Sequence, residues 1–182
     1  MKRRPSLLRH ARSAMYAIMA CLFLGCSAQK PALPASASVF VVRHAEKADP
    51  SDPDTPLSSA GEARAQALAE TLKGRGVKTV CATEFRRTRQ TAQPTAQAAS
   101  VEVSVIPNAD RARLIELAKA VPMGMSMLIV GHSNTVPDIV RELSGEAVDG
   151  INESEFDNLF EVVFEADGRK RLVRSKYGEP SR

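Results

Sequence analysis

Three short polar segments, each directly after an apolar run, hold most of the side chains able to do chemistry. Arg43-His44 follows Val39-Phe-Val-Val42, Thr83 to Arg89 follows the run from Val77 to Ala82, and His132-Ser-Asn134 follows Met127-Leu-Ile-Val130. One histidine at a strand end is an ordinary structural residue. Two of them in the company of Arg43 and the Arg86-Arg87-Thr-Arg89 cluster describe a pocket for a dianion. Guanidinium groups present fixed, bidentate donors to phosphate oxygens, and a neighbouring imidazole can attack phosphorus. The two histidines lack an HExxH or CxxC partner, so their pattern is not that of a zinc site. No cofactor is called for.

Those segments need a scaffold that brings them together. The apolar runs are short and continuous, as in strands buried on both faces. Between them lie helical patterns. Ser59-Ala-Gly-Glu62 has capping-box spacing and opens a helix with Ala65, Leu68, Ala69 and Leu72 on one face, ending at Gly74. A second helix starts near Glu84 and is expected to be disturbed by Pro94. Val101, Val103 and Val105 alternate as a strand, and Arg111 to Ala120 reads as helix. Val136, Ile139, Val140 and Leu143 mark a last helix with Pro137 in its first turn. Leu159–Phe164 and Arg171–Ser175 form a terminal hairpin around Ala166-Asp-Gly168. This alternation predicts an α/β domain with a largely parallel sheet, in which ligands bind beyond the carboxyl ends of the strands. All three polar segments fall on that edge.

At this point the residues carry a family likeness. Val42-Arg43-His44-Ala45-Glu46 resembles the RHG/RHA signature of the histidine phosphatase (phosphoglycerate mutase-like) superfamily. Leu57-Ser-Ser-Ala-Gly61 is similar to its LSxxG helix entry. The stretch from Thr83 to Ala92 resembles its S-x-L-x-R-A-x-Q-T-A segment, and Val130-Gly-His-Ser133 its second-histidine element. The elements occur in family order between about Val39 and Leu143. The resemblance implies a three-layer α/β/α sandwich. It also implies His44 as a nucleophile that becomes phosphohistidine, Arg43 and Arg87 as phosphate-holding groups, and His132 as a donor to the phosphoryl oxygens. Gln90-Thr-Ala92 sets the register that selects Arg87, leaving Arg86 and Arg89 as solvated helix charges. Ser133 or Asn134 is expected to cap the helix after His132.

The proton donor is less legible. Asp110, in Pro107-Asn-Ala-Asp110, lies where many members of this family carry an acid, and Glu116 is the next candidate. A turn or helix-start aspartate is the plain reading of Asp110. Glu46 fits the signature and can serve to orient its loop. The acidic stretch Asn152-Glu-Ser-Glu-Phe-Asp157 reads as a solvated loop before the hairpin, with a substrate-selecting rim as the alternative.

Charge sorts the remaining segments. The 182 residues hold 25 Lys and Arg against 21 Asp and Glu, a formal charge of +4. Lys2, Arg3, Arg4, Arg9 and Arg12 precede any acidic residue, so the rest is near neutral, at 20 against 21. With no Trp, six Phe and two Tyr there is no stacking platform for nucleic acid. The basic start leads into the apolar run Ala14–Gly25, which has signal-peptide length and is short of a membrane span. Leu22-Phe-Leu-Gly-Cys26 resembles a bacterial lipobox, with Cys26 as the lipidated residue; cleavage after Ala28 and a retained anchor are the alternatives. The expected organisation is therefore 1–26 signal peptide, 27–38 tether and 39–182 histidine phosphatase domain. Cys81, the one body cysteine, reads as core.

The expected protein is an exported, periplasmic phosphomonoesterase acting on a small phosphate ester and held to the membrane by lipid if Cys26 is modified. Sugar phosphates or lipopolysaccharide core phosphates fit that compartment. The alternative from another class is a phosphate- or glycan-binding lipoprotein without turnover. A phosphoglycerate mutase and a protein phosphohistidine phosphatase fit the short chain and export less well.

Overall fold

In this computed structural model the structure describes residues 36–181. The expected signal peptide, Cys26 and all of the tether before Ser36 lie outside them. Among the described residues no helix is long and apolar enough to cross a membrane.

The strands are β1 (Ser36–Arg43), β2 (Val77–Ala82), β3 (Val103–Val105), β4 (Ser126–Gly131), β5 (Asn158–Glu165) and β6 (Lys170–Lys176). The helices are α1 (Ser59–Thr71), α2 (Arg86–Ala99), α3 (Arg111–Lys119) and α4 (Val136–Ser144). They build one six-stranded sheet in the order β3-β2-β4-β1-β5-β6. The first four strands of that order are parallel, and β5 and β6 add an antiparallel hairpin at one edge.

The apolar runs are buried on both faces, as short parallel strands require. Val39, Val41, Cys81, Met127 and Ile129 pack on one side against Leu114 and Ile115 of α3 and Ile139, Val140 and Leu143 of α4. Phe40, Val42, Val80, Leu128 and Val130 face the other way, onto Leu68 and Leu72 of α1 and Ala92 and Ala96 of α2. The result is the expected three-layer α/β/α sandwich with a mostly parallel sheet. Cys81 is buried in it, and that burial pushes its thiol up to about 11, so it is a core residue without thiolate character.

Local details differ from the sequence expectations. β1 starts at Ser36, three residues inside the expected tether, because Ser36–Ser38 pair with Val163–Glu165 of β5. The cap of α1 is Ser58, whose side chain accepts from the Gly61 amide, so the Ser59/Glu62 spacing is one residue out of register. Pro94 sits inside an uninterrupted α2. The N-cap of α4 is Thr135, in place of Ser133 or Asn134, and its hydroxyl accepts from the His132 amide at 3.1 Å.

Candidate active site

Sheet register brings the two histidines together. β1 and β4 are parallel neighbours with Arg43 opposite Gly131, and the His44 amide donates to the Gly131 carbonyl at 2.9 Å. His44 and His132 thus leave adjacent strands at the same level, their ring centres 5.5 Å apart and edge to face. β2 flanks β4 on the other side with Ala82 opposite Val130, which delivers Thr83 to the same edge. The convergence expected of the three polar segments is therefore present.

His44 is 4% exposed. Its Nδ1 lies 2.8 Å from the Ala45 carbonyl, an acceptor, so Nδ1 carries the proton and Nε2 keeps its lone pair. Burial, with the charges of Arg43 and Arg87 added, lowers its pKa to about 3 and keeps the ring neutral. His132 is lowered to about 4 by burial and by Arg87. Its Nε2 meets the Thr83 hydroxyl at 3.0 Å, and that hydroxyl is paired with Thr88 at 2.9 Å. Phe85 packs perpendicular to the His132 ring at 5.3 Å.

The two guanidiniums differ. Arg43 is 2% exposed; its Nη1 donates to the carbonyls of Asn152 at 2.8 Å and Glu155 at 3.1 Å, and its Nη2 to the Glu153 carboxylate at 2.6 Å. The Phe156 ring covers it at 4.2 Å. Arg87 is half-buried, donates to the Pro53 carbonyl at 2.7 Å and lies over the Phe85 ring at 4.3 Å. Both Nε atoms are buried and have no hydrogen-bond partner. Buried donors are nearly always paired, so two unmatched N–H groups beside a neutral imidazole mark a place for an acceptor with several oxygens. Arg86 and Arg89 are exposed, as solvated helix charges should be.

The other signature residues hold this constellation still. The Thr91 hydroxyl accepts from the Ala45 amide at 2.9 Å and donates to the Arg87 carbonyl at 2.8 Å, tying the His44 loop to α2. The Gln90 side-chain carbonyl accepts from the Leu57 amide at 2.8 Å. Gly61 passes so close to the Glu46 backbone that a Cβ there would fall 2.3 Å from the Glu46 carbonyl oxygen, which excludes any other residue. Glu46 is a loop-orienting group. Its carboxylate takes donors from buried Arg64 at 2.7, 2.9 and 3.0 Å, and Arg64 also donates to the Tyr177 and Glu179 carbonyls.

The acid candidates fall elsewhere. Asp110 caps α3, accepting from the Arg113 amide, and makes no hydrogen bond to His44, Arg43, Arg87 or His132. Glu116 is exposed on α3. The acidic stretch is no free solvated loop: it lies over Arg43, and Ser181 braces it by accepting from the Phe156 and Asp157 amides. Sequence reasoning missed Glu153, Phe156 and Arg64 as parts of the site. The alternation of acidic residues with one aromatic was the available sign for the first two. Arg64 gave none, since an arginine among helix alanines reads as exposed.

Comparisons with known proteins agree with this geometry. Residues 39–118 match the family model of the histidine phosphatase superfamily, branch 1. No curated protein matches the chain. Among solved structures, it resembles the protein histidine phosphatase SixA complexed with tungstate, at 23% identity over 76% of this chain and 96% of that one, with a TM-score of 0.60. A mycobacterial glucosyl-3-phosphoglycerate phosphatase superposes with a TM-score of 0.62 at 15% identity, over 79% of this chain and 100% of its own. A phosphoglycerate mutase from Plasmodium falciparum gives 0.55 at 16% identity, over 81% and 94%. The match over residues 39–118, the fold shared with these structures and the converging side chains make this chain similar to the histidine phosphatase superfamily.

Proposed function

We propose that the protein is an exported phosphomonoesterase that works through a phosphohistidine on His44. The observation that carries the reading is the neutral His44, its Nδ1 tied to the Ala45 carbonyl, beside two arginines whose buried Nε groups lack acceptors. A phosphoryl group set against Arg43 and Arg87 meets those donors and presents phosphorus to His44 Nε2. Attack by Nε2 forms the N–P bond as the ester P–O bond breaks, and water then displaces the phosphoryl group from nitrogen. His132 and the arginines stabilise charge on the equatorial oxygens in both halves. Because His44 is already neutral, no base is needed to activate it.

The SixA relative, a protein histidine phosphatase, holds tungstate, a tetrahedral oxyanion, which supports a phosphoryl site; the mycobacterial relative is named for a phosphorylated sugar acid, which supports a small phosphorylated substrate. Export rests on the basic, then apolar N-terminus with Cys26 at its end, and in that setting sugar phosphates or lipopolysaccharide phosphates are the substrate class we favour. Purified 27–182 assayed on a panel of aryl phosphate, sugar phosphates and a phosphohistidine peptide tests the activity. Hydrolysis that disappears in His44→Ala supports the mechanism, and hydrolysis that survives it overturns the mechanism. Mass spectrometry of the mature N-terminus tests the anchor: a diacylglyceryl-modified Cys26 supports it, and an unmodified chain starting after Ala28 refutes it.

A further inference from the structure

The reaction just described leaves one group unassigned, the donor that protonates the leaving oxygen. Among the described residues Glu153 is the one carboxylate hydrogen-bonded to any of the four central side chains, with Oε2 2.6 Å from Arg43 Nη2. Its other oxygen, Oε1, accepts from the Ser133 hydroxyl at 2.6 Å, directly after His132. The carboxylate therefore bridges the two residues that adjoin the two histidines. Its side chain is 77% exposed, so it can exchange protons with solvent while touching Arg43. The charge of Glu84 reaches Arg87 and His132, but its carboxylate accepts from the Asn108 amide at 2.8 Å and makes no hydrogen bond to either residue.

We propose that Glu153 is the general acid of the first displacement and the general base of the second. This rests on the phosphohistidine reading above. In the free site the Ser133 hydroxyl, followed by Arg43, holds the Glu153 carboxyl below its usual range against the opposing effect of burial; Lys47 adds to the lowering. A phosphate dianion arriving on Arg43 reverses the balance. It takes the guanidinium donors that Glu153 was using and places two negative charges beside it, and both changes favour the protonated carboxyl. Glu153 takes this proton from solvent as the ester binds. As His44 Nε2 bonds to phosphorus and the ester P–O bond breaks, the proton passes to the leaving oxygen and an alcohol departs. Glu153 is then a carboxylate that accepts a proton from the attacking water as the N–P bond breaks, and it returns that proton to solvent when phosphate leaves and Arg43 is free to pair with it again. The ester and one water become alcohol and phosphate, and the side chains return to their starting state.

Leaving-group dependence reads this role directly, since a nitrophenolate departs without a proton and an alkoxide does not. Wild type, Glu153→Gln and Glu153→Asp are compared on p-nitrophenyl phosphate and on glycerol phosphate, with His44→Ala alongside. The expected loss in Glu153→Gln is about 10²-fold or more in kcat/KM on glycerol phosphate, while kcat/KM on p-nitrophenyl phosphate, which reports the first displacement and not the shared second one, stays nearly unchanged and Glu153→Asp recovers part of the alkyl activity. Equal losses of kcat/KM on both substrates, no loss on either, or unchanged kcat/KM on glycerol phosphate with tighter inhibition by inorganic phosphate would each overturn the assignment. Failure of the underlying reading looks different, because a wild-type enzyme idle on both esters, or His44→Ala still turning over, concerns His44 and not Glu153.

Discussion

The two walls of the candidate pocket are built in opposite ways. One wall carries His44, His132 and Arg87 on the ends of neighbouring strands and the first turn of α2. There the positions are fixed by backbone ladder, by the Thr91 and Gln90 side chains and by Gly61 wedged against the Glu46 carbonyl. The other wall is the loop from Asn152 to Asp157, which reaches Arg43 through two backbone carbonyls, an exposed carboxylate and the face of Phe156. A nucleophile must be held within tenths of an ångström, so it belongs on the sheet. A group that must trade Arg43 with an incoming phosphate belongs on a loop, where displacement costs few contacts.

Substitution of Arg87 should separate the walls most sharply. Arg87→Ala removes a phosphate-binding guanidinium from the rigid side, and kcat/KM is expected to fall by about 10²–10³-fold. Arg86→Ala and Arg89→Ala on the same helix should stay within about twofold of wild type. Steady-state assays on an aryl phosphate compare all three, and equal losses among them would remove the basis for choosing Arg87.

Thr91→Val tests whether the sheet-side wall depends on its hidden hydrogen bonds. It leaves the Ala45 amide buried without an acceptor, a cost of about 1–3 kcal/mol in urea denaturation, and kcat should drop by about tenfold as the His44 loop loosens. Unchanged kcat in a destabilised Thr91→Val variant would show that the loop holds its geometry by other means. On the loop side, Phe156→Ala is expected to act more gently, raising KM by about three- to tenfold with kcat largely kept, since it removes a ring from Arg43 and no reacting atom.

The buried imidazoles give the smallest effect, and its sign follows from their lowered values. His44 and His132 titrate near 3 and 4 in the fold and near 6.5 when unfolded. The unfolded chain binds more protons between those limits, so their share of stability is complete above about pH 6.5 and is lost as pH falls toward 4. Thermal melts from pH 7.5 to 4.5 should therefore show a shallower decline for a His44→Gln, His132→Gln double variant than for wild type. Parallel declines would mean that the imidazoles are not held neutral.

The two walls also differ in how far the sequence betrays them. His44, Arg87 and His132 stand next to apolar runs or inside a tight local pattern, and parallel register does the rest, so their convergence could be expected from strand order alone. Asp110 is a candidate only from its place along the resembled family's order; its local reading as a helix-start aspartate is the one the fold shows, since it satisfies a first-turn amide of α3. Glu153 touches Arg43 across more than a hundred residues, and the ion pair of Arg64 with Glu46 is made by an arginine buried beside the apolar face of α1, where its type alone suggests exposure. Contacts of that kind leave no periodicity, and only the folded chain displays them.

The central claim concerns one bond, between His44 Nε2 and phosphorus. Rapid-quench of enzyme with aryl phosphate into alkali, where phosphohistidine persists, followed by peptide mass spectrometry, looks for that bond directly. The account predicts one phosphoryl group on the peptide containing His44, released on acidification and missing in His44→Ala. Turnover with no phosphoryl group on His44 at any quench time, or the group on a serine or threonine, would contradict it.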